Sequence, residues 1–202
     1  MNYTFISGAT GGLGKAFCET CAQRGYNLFI TGRSELKLQT LKEELLKINP
    51  NIKIDYFACE LDKGSSRAKM SEYISNNDYY FDRILLVAGV DTQKAFCDYT
   101  LEKLLFQLRV NAEATTALAY ELLKRKTEKC ELLAISSMSG VSPMPYFAIY
   151  SATKSALIGF YTSLRYEVKD AKITVLAPGG IPTREDVKRD IKIQGWTGRM
   201  SA

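Results

Sequence analysis

The sequence predicts an α/β protein built on a doubly wound parallel sheet. Three observations predict it. Six short apolar runs alternate with longer amphipathic stretches. Several of these runs are apolar nearly throughout, which suits strands covered on both faces rather than half-exposed ones. A glycine-rich loop, "SGATGGLG" at 7–14, joins the first run to the first amphipathic stretch.

In chain order the predicted strands are "YTFIS" (3–7), "NLFIT" (27–31), "IKIDYFA" (52–58), "RILLVAG" (83–89), "ELLAIS" (131–136) and "KITVLAP" (172–178). Each is a short apolar run. Helices are predicted between and after them, at 12–24, 34–48, 64–77, 100–126, 149–169 and 183–193. Ser34, ahead of "ELKLQTLKEELLK", is a fair N-cap, although Lys37 denies it a full capping box. Strand–helix alternation requires right-handed crossovers between parallel strands.

The chain has 202 residues, which suits one domain, read as 1–202 without linker or repeat. At 46% hydrophobic and 24% charged it is an ordinary globular composition. No run reaches the roughly 20 apolar residues of a membrane helix, and "MNYTFISG" does not read as a secretory signal. A cytoplasmic protein is expected. The net charge of +5 is spread among acids, as in "LKEELLK", so no nucleic-acid surface is expected. There is no histidine, which removes Ser-His and Cys-His nucleophiles. Of the five cysteines, 18 and 21 form a lone C-x-x-C, so no metal site is expected.

The glycine loop follows a predicted strand and opens a predicted helix, the context that makes it a phosphate cradle. Glycines 8, 12 and 14 fit G-x-x-x-G-x-G, and glycines 8, 11 and 14 fit G-x-x-G-x-x-G equally well. The second strand ends in "ITGRSE", with Arg33 where an acid would favour NAD. A guanidinium there suits the extra phosphate of NADP. NADP(H) is therefore expected over NAD(H).

Tyr150 and Lys154 form Y-x-x-x-K one turn apart on a predicted helix. Tyr99/Lys103 and Tyr120/Lys124 share that pattern. Only Tyr150 has a serine, Ser137, thirteen residues before it; the other two have Leu86 and Gln107 there.

With these motifs the sequence resembles the short-chain dehydrogenase/reductases in their compact single-domain form. The matching elements are "SGATGGLG", "LRVNAEAT" with Asn111, "ISSMSG", "YSATK" and "APGGIPT", in the family's order. The resemblance implies a Rossmann-like sheet, order 3-2-1-4-5-6, and favours the G-x-x-x-G-x-G reading of the loop. It implies an oxidoreductase that interconverts a carbonyl and an alcohol, with Asn111, Ser137, Tyr150 and Lys154 as catalytic residues. Tyr150 would exchange a proton with the substrate oxygen, and Ser137 would hydrogen-bond that oxygen. A free tyrosine titrates near pH 10, and the Lys154 cation would favour its phenolate. Lys154 would also hold the nicotinamide ribose. Asn111 would bond backbone within its helix and seat a water that relays protons to Lys154.

The cofactor would be held by Gly8, Thr10, Gly12, Leu13, Gly14, Arg33, Glu60, Leu61, Ala88, Gly89, Tyr150, Lys154, Pro178, Gly179, Ile181 and Thr183. Met138, Met144, Tyr146, Phe147 and Trp196 would line a partly apolar substrate pocket or, on the other reading, belong to the ordinary core. The resemblance also implies a homodimer through the helices at 100–126 and 149–169. Three departures stand out. "LVAG" at 86–89 replaces the family's "NNAG", removing asparagine bonds that steady the sheet, and Ser7 replaces a threonine. Members also continue past "GWTGRMSA" with a seventh strand, so a sheet ending on an unpaired sixth strand is expected here. A non-catalytic NADP-binding protein is the second reading, separated from the first by turnover of ketones and aldehydes with NADPH.

Overall fold

The computed structural model describes residues 2–181. Thr183, Trp196 and the helix expected at 183–193 lie outside the described residues. Six strands, β1 (Asn2–Ser7), β2 (Leu28–Gly32), β3 (Ile54–Ala58), β4 (Tyr80–Leu86), β5 (Lys126–Ile135) and β6 (Ala171–Leu176), form one sheet. Every pairing is parallel, and the order is β3-β2-β1-β4-β5-β6. The order reverses between β1 and β4, and this switch point opens the crevice at the strands' carboxyl ends.

Strand alternation builds two cores. Phe5, Phe29, Ile84 and Leu132 point to one face, and their neighbours Ile6, Ile30 and Leu85 to the other. The first face carries an aromatic cluster in which Phe5 stacks on Phe29 at 5.8 Å and meets Phe81 edge-on at 5.7 Å. Over it lie Leu118, Leu122, Leu157 and Tyr161, and the Tyr161 hydroxyl donates to the Thr115 carbonyl at 2.9 Å. Helices α1 (Gly12–Gln23) and α2 (Glu35–Ile48) close the second face with Cys18, Leu38, Leu41 and Leu45. Ser34 caps α2 as expected, its hydroxyl accepting from the Lys37 N–H at 3.4 Å.

Several boundaries differ from the sequence expectation, among them the fifth strand, which begins at Lys126 rather than 131. The fourth strand runs Tyr80–Leu86, not 83–89, because the Val87 and Ala88 N–H groups turn to the Ser7 hydroxyl, at 3.1 and 3.2 Å. The helix expected at 100–126 divides into α4 (Leu101–Leu108), a wide-turn segment (Arg109–Ala114) and α5 (Thr115–Leu123). It ends early because Lys126 already pairs with Phe81, and the β4–β5 register shift between Phe81 and Arg83 absorbs the residues that follow. β6 stops at Leu176, short of Pro178, which has no N–H to donate. α3 (Gly64–Asn76), α6 (Met138–Val141) and α7 (Ala148–Glu167) complete the described α-helices, and one 3-10 turn spans Phe96–Asp98.

Candidate active site

The glycine loop sits between β1 and α1. Gly8 has φ +68°, and a Cβ there would stand 2.8 Å from the Ala88 Cα, so glycine is required twice over. A Cβ on Gly14 would fall 2.1 Å from the Gly8 carbonyl oxygen. Gly11 caps α1 with no side-chain hydrogen bond, and the first turn holds no acid. The helix therefore presents free N–H groups and its positive end to an anion.

The Ser7 hydroxyl, bonded to both Val87 and Ala88, ties the loop to the end of β4. Here a β1 side chain steadies the sheet where the missing asparagine was expected to leave it loose. Thr10 reaches toward the end of β2, where a Cβ on Gly32 would meet its Oγ1 at 3.2 Å. Arg33, the next residue, is exposed and makes no ion pair among the described residues. A hollow of about 300 Å³ is lined by Thr10, Lys15, Lys37, Thr40, Leu41 and Glu44. Glu60 is exposed and pairs with Lys63 at 2.7 Å, whereas Leu61 is buried in the core.

Lys154 lies 3% exposed, and its ammonium donates to the Ile135 carbonyl at 2.8 Å. Burial lowers its pKa to about 8, with the nearby Asp91 charge opposing that shift. The ammonium stands 5.6 Å from the Tyr150 ring centroid. It also lies under Gly89, where a Cβ would meet Nζ at 3.2 Å and the Asn111 Oδ1 at 3.6 Å. Asn111, fully buried, accepts from the Val90 N–H at 2.8 Å and donates to the Val90 carbonyl at 2.8 Å and the Thr153 hydroxyl at 3.2 Å. The expected bonds to its own helix's backbone are therefore replaced by bonds to the turn after β4. Thr153, one residue before Lys154, ties Asn111 to α7.

Ser137 caps α6 in extended backbone, φ −161°. Its oxygen accepts from the Ser139 N–H at 3.2 Å and the Ser139 hydroxyl at 2.9 Å. Its own proton is then left to donate outward. The Pro178 carbonyl accepts from the Met138 N–H at 2.9 Å, pinning the strand-six loop to this turn. Gly179 is exposed, with nothing among the described residues within 4 Å of where a Cβ would stand, and Ile181 is the last described residue. Met138, Met144 and Tyr146 are exposed at this rim, and the Phe147 and Tyr150 rings lie 5.8 Å apart.

The structure thus gathers Gly89, Asn111, Tyr150 and Lys154, and it separates the two other Y-x-x-x-K pairs from them. The Tyr99 hydroxyl donates to the Thr92 carbonyl at 2.6 Å. Tyr120 is 65% exposed under its own Lys124, on an outer helix face. A larger hollow, about 580 Å³, lies at the opposite end of the strands among Arg83, Glu131 and Lys172, where Arg83 and Lys172 both pair with Glu131.

Three positioning groups escape a reading of motifs. The Ser136 hydroxyl donates to the Lys154 carbonyl at 2.8 Å, and the Ser155 hydroxyl to the Gly140 carbonyl at 2.6 Å. Gly140 lets α6 touch α7, since a Cβ there would sit 2.7 Å from the Lys154 carbonyl carbon. The small residues of "SSMSG" are the only trace in the sequence. Gly140→Ala should push α7 away and destabilise the protein by roughly 1–3 kcal/mol. Thermal melting checks this; an unchanged midpoint would show that the two helices have room to part.

Comparison with known proteins agrees with this architecture. The chain matches the short chain dehydrogenase family over residues 2–192. It is 30% identical over 183 residues to a very-long-chain 3-oxoacyl-CoA reductase of Neurospora crassa, covering 86% of this chain and 53% of that protein. The chain spans about half the length of the curated relatives it matches in this way. L-sorbose reductase from Gluconobacter frateurii, solved with NADPH and L-sorbose, superposes with TM-score 0.85 at 22% identity, over 98% of this chain and 76% of that one. An alcohol dehydrogenase from Thermococcus sibiricus, complexed with 5-hydroxy-NADP, gives TM-score 0.83 at 23% identity, over 91% and 78%. A family match across nearly the whole chain, on a sheet of this order with these motifs in this sequence, makes the chain a member of the short chain dehydrogenase family.

Proposed function

We propose that this chain is an NADP-dependent oxidoreductase interconverting a carbonyl and an alcohol, with Tyr150 as general acid and base. The observation that carries the reading is the buried Lys154 ammonium beside the Tyr150 ring and beneath Gly89. A charge held out of water at a crevice is costly without a use. The cradle of Gly8 and Gly14 and the uncapped start of α1 fit a dinucleotide diphosphate. When bound, NADP(H) supplies the hydride chemistry.

The chain's own residues do the rest. Gly8, Thr10, Gly12, Leu13 and Gly14 hold the diphosphate, and Arg33 holds the 2′-phosphate. Glu60, Leu61, Ala88 and Gly89 border the adenosine side. Pro178, Gly179 and Ile181 border the nicotinamide side, and Thr183 is assigned there from its motif. Ser137 donates its proton to the substrate oxygen as a hydrogen bond, and Tyr150 delivers the proton that becomes the alcohol's. Lys154 raises the positive potential at Tyr150 and offers its remaining N–H groups to the ribose.

The exposed Met138, Met144 and Tyr146 favour a substrate with an apolar part. All five cysteines are free and four are buried, which fits a reducing cytoplasmic setting. A homodimer through α4–α5 and α7 belongs to the same reading.

Turnover of a panel of ketones and aldehydes with NADPH tests the reading, and NADPH binding without any turnover would favour a purely binding role. NADPH should bind more tightly than NADH. Arg33→Ala should remove most of that difference, roughly 1.5–3 kcal/mol for a hydrogen bond to a charged group. Nicotinamide fluorescence titration measures it, and equal affinities in the parent protein would refute it.

A further inference from the structure

The turn after β4 is held by more than the asparagine of the motif. Gln107, on α4 one turn before Asn111, is 2% exposed. Its amide donates to the Val90 carbonyl at 3.3 Å. Asn111 donates to the same oxygen and accepts from the same residue's N–H. Both lone pairs of that carbonyl are therefore occupied by side chains. The wide-turn segment begins at Arg109, between the two amides, an irregularity often met at functional sites.

The glutamine is a poor choice for packing alone. Its Oε1 is buried and has no partner among the described residues. A leucine or methionine would fill the space without an unpaired acceptor. What the glutamine adds is the bond to Val90. Val90 stands between Gly89, which roofs the Lys154 ammonium, and Asp91, whose charge acts on it.

We propose that Gln107 is a positioning residue for the site: with Asn111 it clamps the Val90 peptide and so fixes the Gly89–Asp91 turn over the Lys154 ammonium. The proposal rests on the cofactor-binding role of Lys154 given above. Among the described residues the ionisable groups at that ammonium are Asp91, from the turn, and Tyr150, from the same helix. α4 and the wide-turn segment face it there with the neutral amides Gln107 and Asn111. Loosening the clamp lets the Asp91 charge retreat, and the ammonium then loses its proton at lower pH.

The test is NADPH titration by nicotinamide fluorescence from about pH 6 to about pH 10, spanning the range in which this lysine changes charge. The full chain is compared with Gln107→Met, with melting measured alongside. The variant should melt at or above the parent's midpoint, yet lose NADPH affinity at a pH lower by about half a unit or more. A parent-like alkaline limb in a folded Gln107→Met protein would overturn the proposal while leaving the function intact. A parent that binds no NADPH at any pH would overturn the function and this proposal with it. Should Gln107→Met not fold, Gln107→Leu decides. It also lacks a donor for the Val90 carbonyl and adds no charge, so its alkaline limb should likewise fall at lower pH. An unshifted limb there would also overturn the proposal.

Discussion

Tyr150→Phe should leave the fold and NADPH affinity nearly unchanged and lower turnover by at least the roughly 10²–10⁴-fold that a general acid contributes. The ring is half-buried against Phe147, and that packing survives the loss of a hydroxyl. The Lys154–Ile135 bond survives it too, because it does not involve the tyrosine. What is lost is the proton donor. The two similar pairs supply the control. Tyr99→Phe removes a bond to the Thr92 carbonyl, and Tyr120→Phe changes an exposed ring; both should stay within a few-fold of the parent. Initial rates with a carbonyl substrate and NADPH measure all three. A Tyr150→Phe protein as fast as the parent would assign the proton, and with it the reaction, to other residues.

The sheet was legible because its strands are buried on both faces, so each run is apolar regardless of side. "LFITG" is buried at every position, and such runs announce themselves without periodicity. Strand ends were less legible, because they depend on where the last N–H groups go. Val87 and Ala88 read as strand, but a serine eighty residues earlier takes their amides. The break at Arg109–Ala114 had no signal either, since "LRVNAEAT" is ordinary helical sequence and the wide turn is a tertiary effect.

The site divides along the same line. Ser137, Tyr150 and Lys154 stand close in sequence with fixed spacing, and Asn111 was readable only through the family's pattern. Gln107, Thr153, Gly140 and Asp91 were not readable, because each acts through a contact between distant segments. Asn111 shows the limit within a single residue. Its importance followed from the motif, but its bonds cross to Val90 and Thr153 rather than staying in its helix.

Lys154→Met should separate function from stability, with pH as the control. The ammonium is buried and donates to the Ile135 carbonyl, and its pKa is lowered to about 8. In the unfolded chain a lysine titrates near 10.4. A lysine whose folded pKa is lowered weighs against folding most heavily below the folded value, where it must stay charged in the core. That penalty lifts as pH rises from about 8 toward the unfolded value, by up to roughly 3 kcal/mol in total. Methionine removes the penalty but leaves the Ile135 carbonyl unpaired, a cost of about 1–3 kcal/mol. The two nearly cancel at pH 7, so the variant should melt close to the parent there. As pH rises through 8 the parent gains and the variant does not, so the melting difference should turn against Lys154→Met.

NADPH affinity moves the other way. The diphosphate and ribose favour the charged lysine, so the parent should bind progressively more weakly above about pH 8. The variant should bind weakly throughout, without that limb, and turnover should fall with it. Melting and NADPH titration on the two proteins over the same pH range give both slopes. A variant that binds NADPH like the parent at pH 7 would mean that the buried charge serves the fold alone.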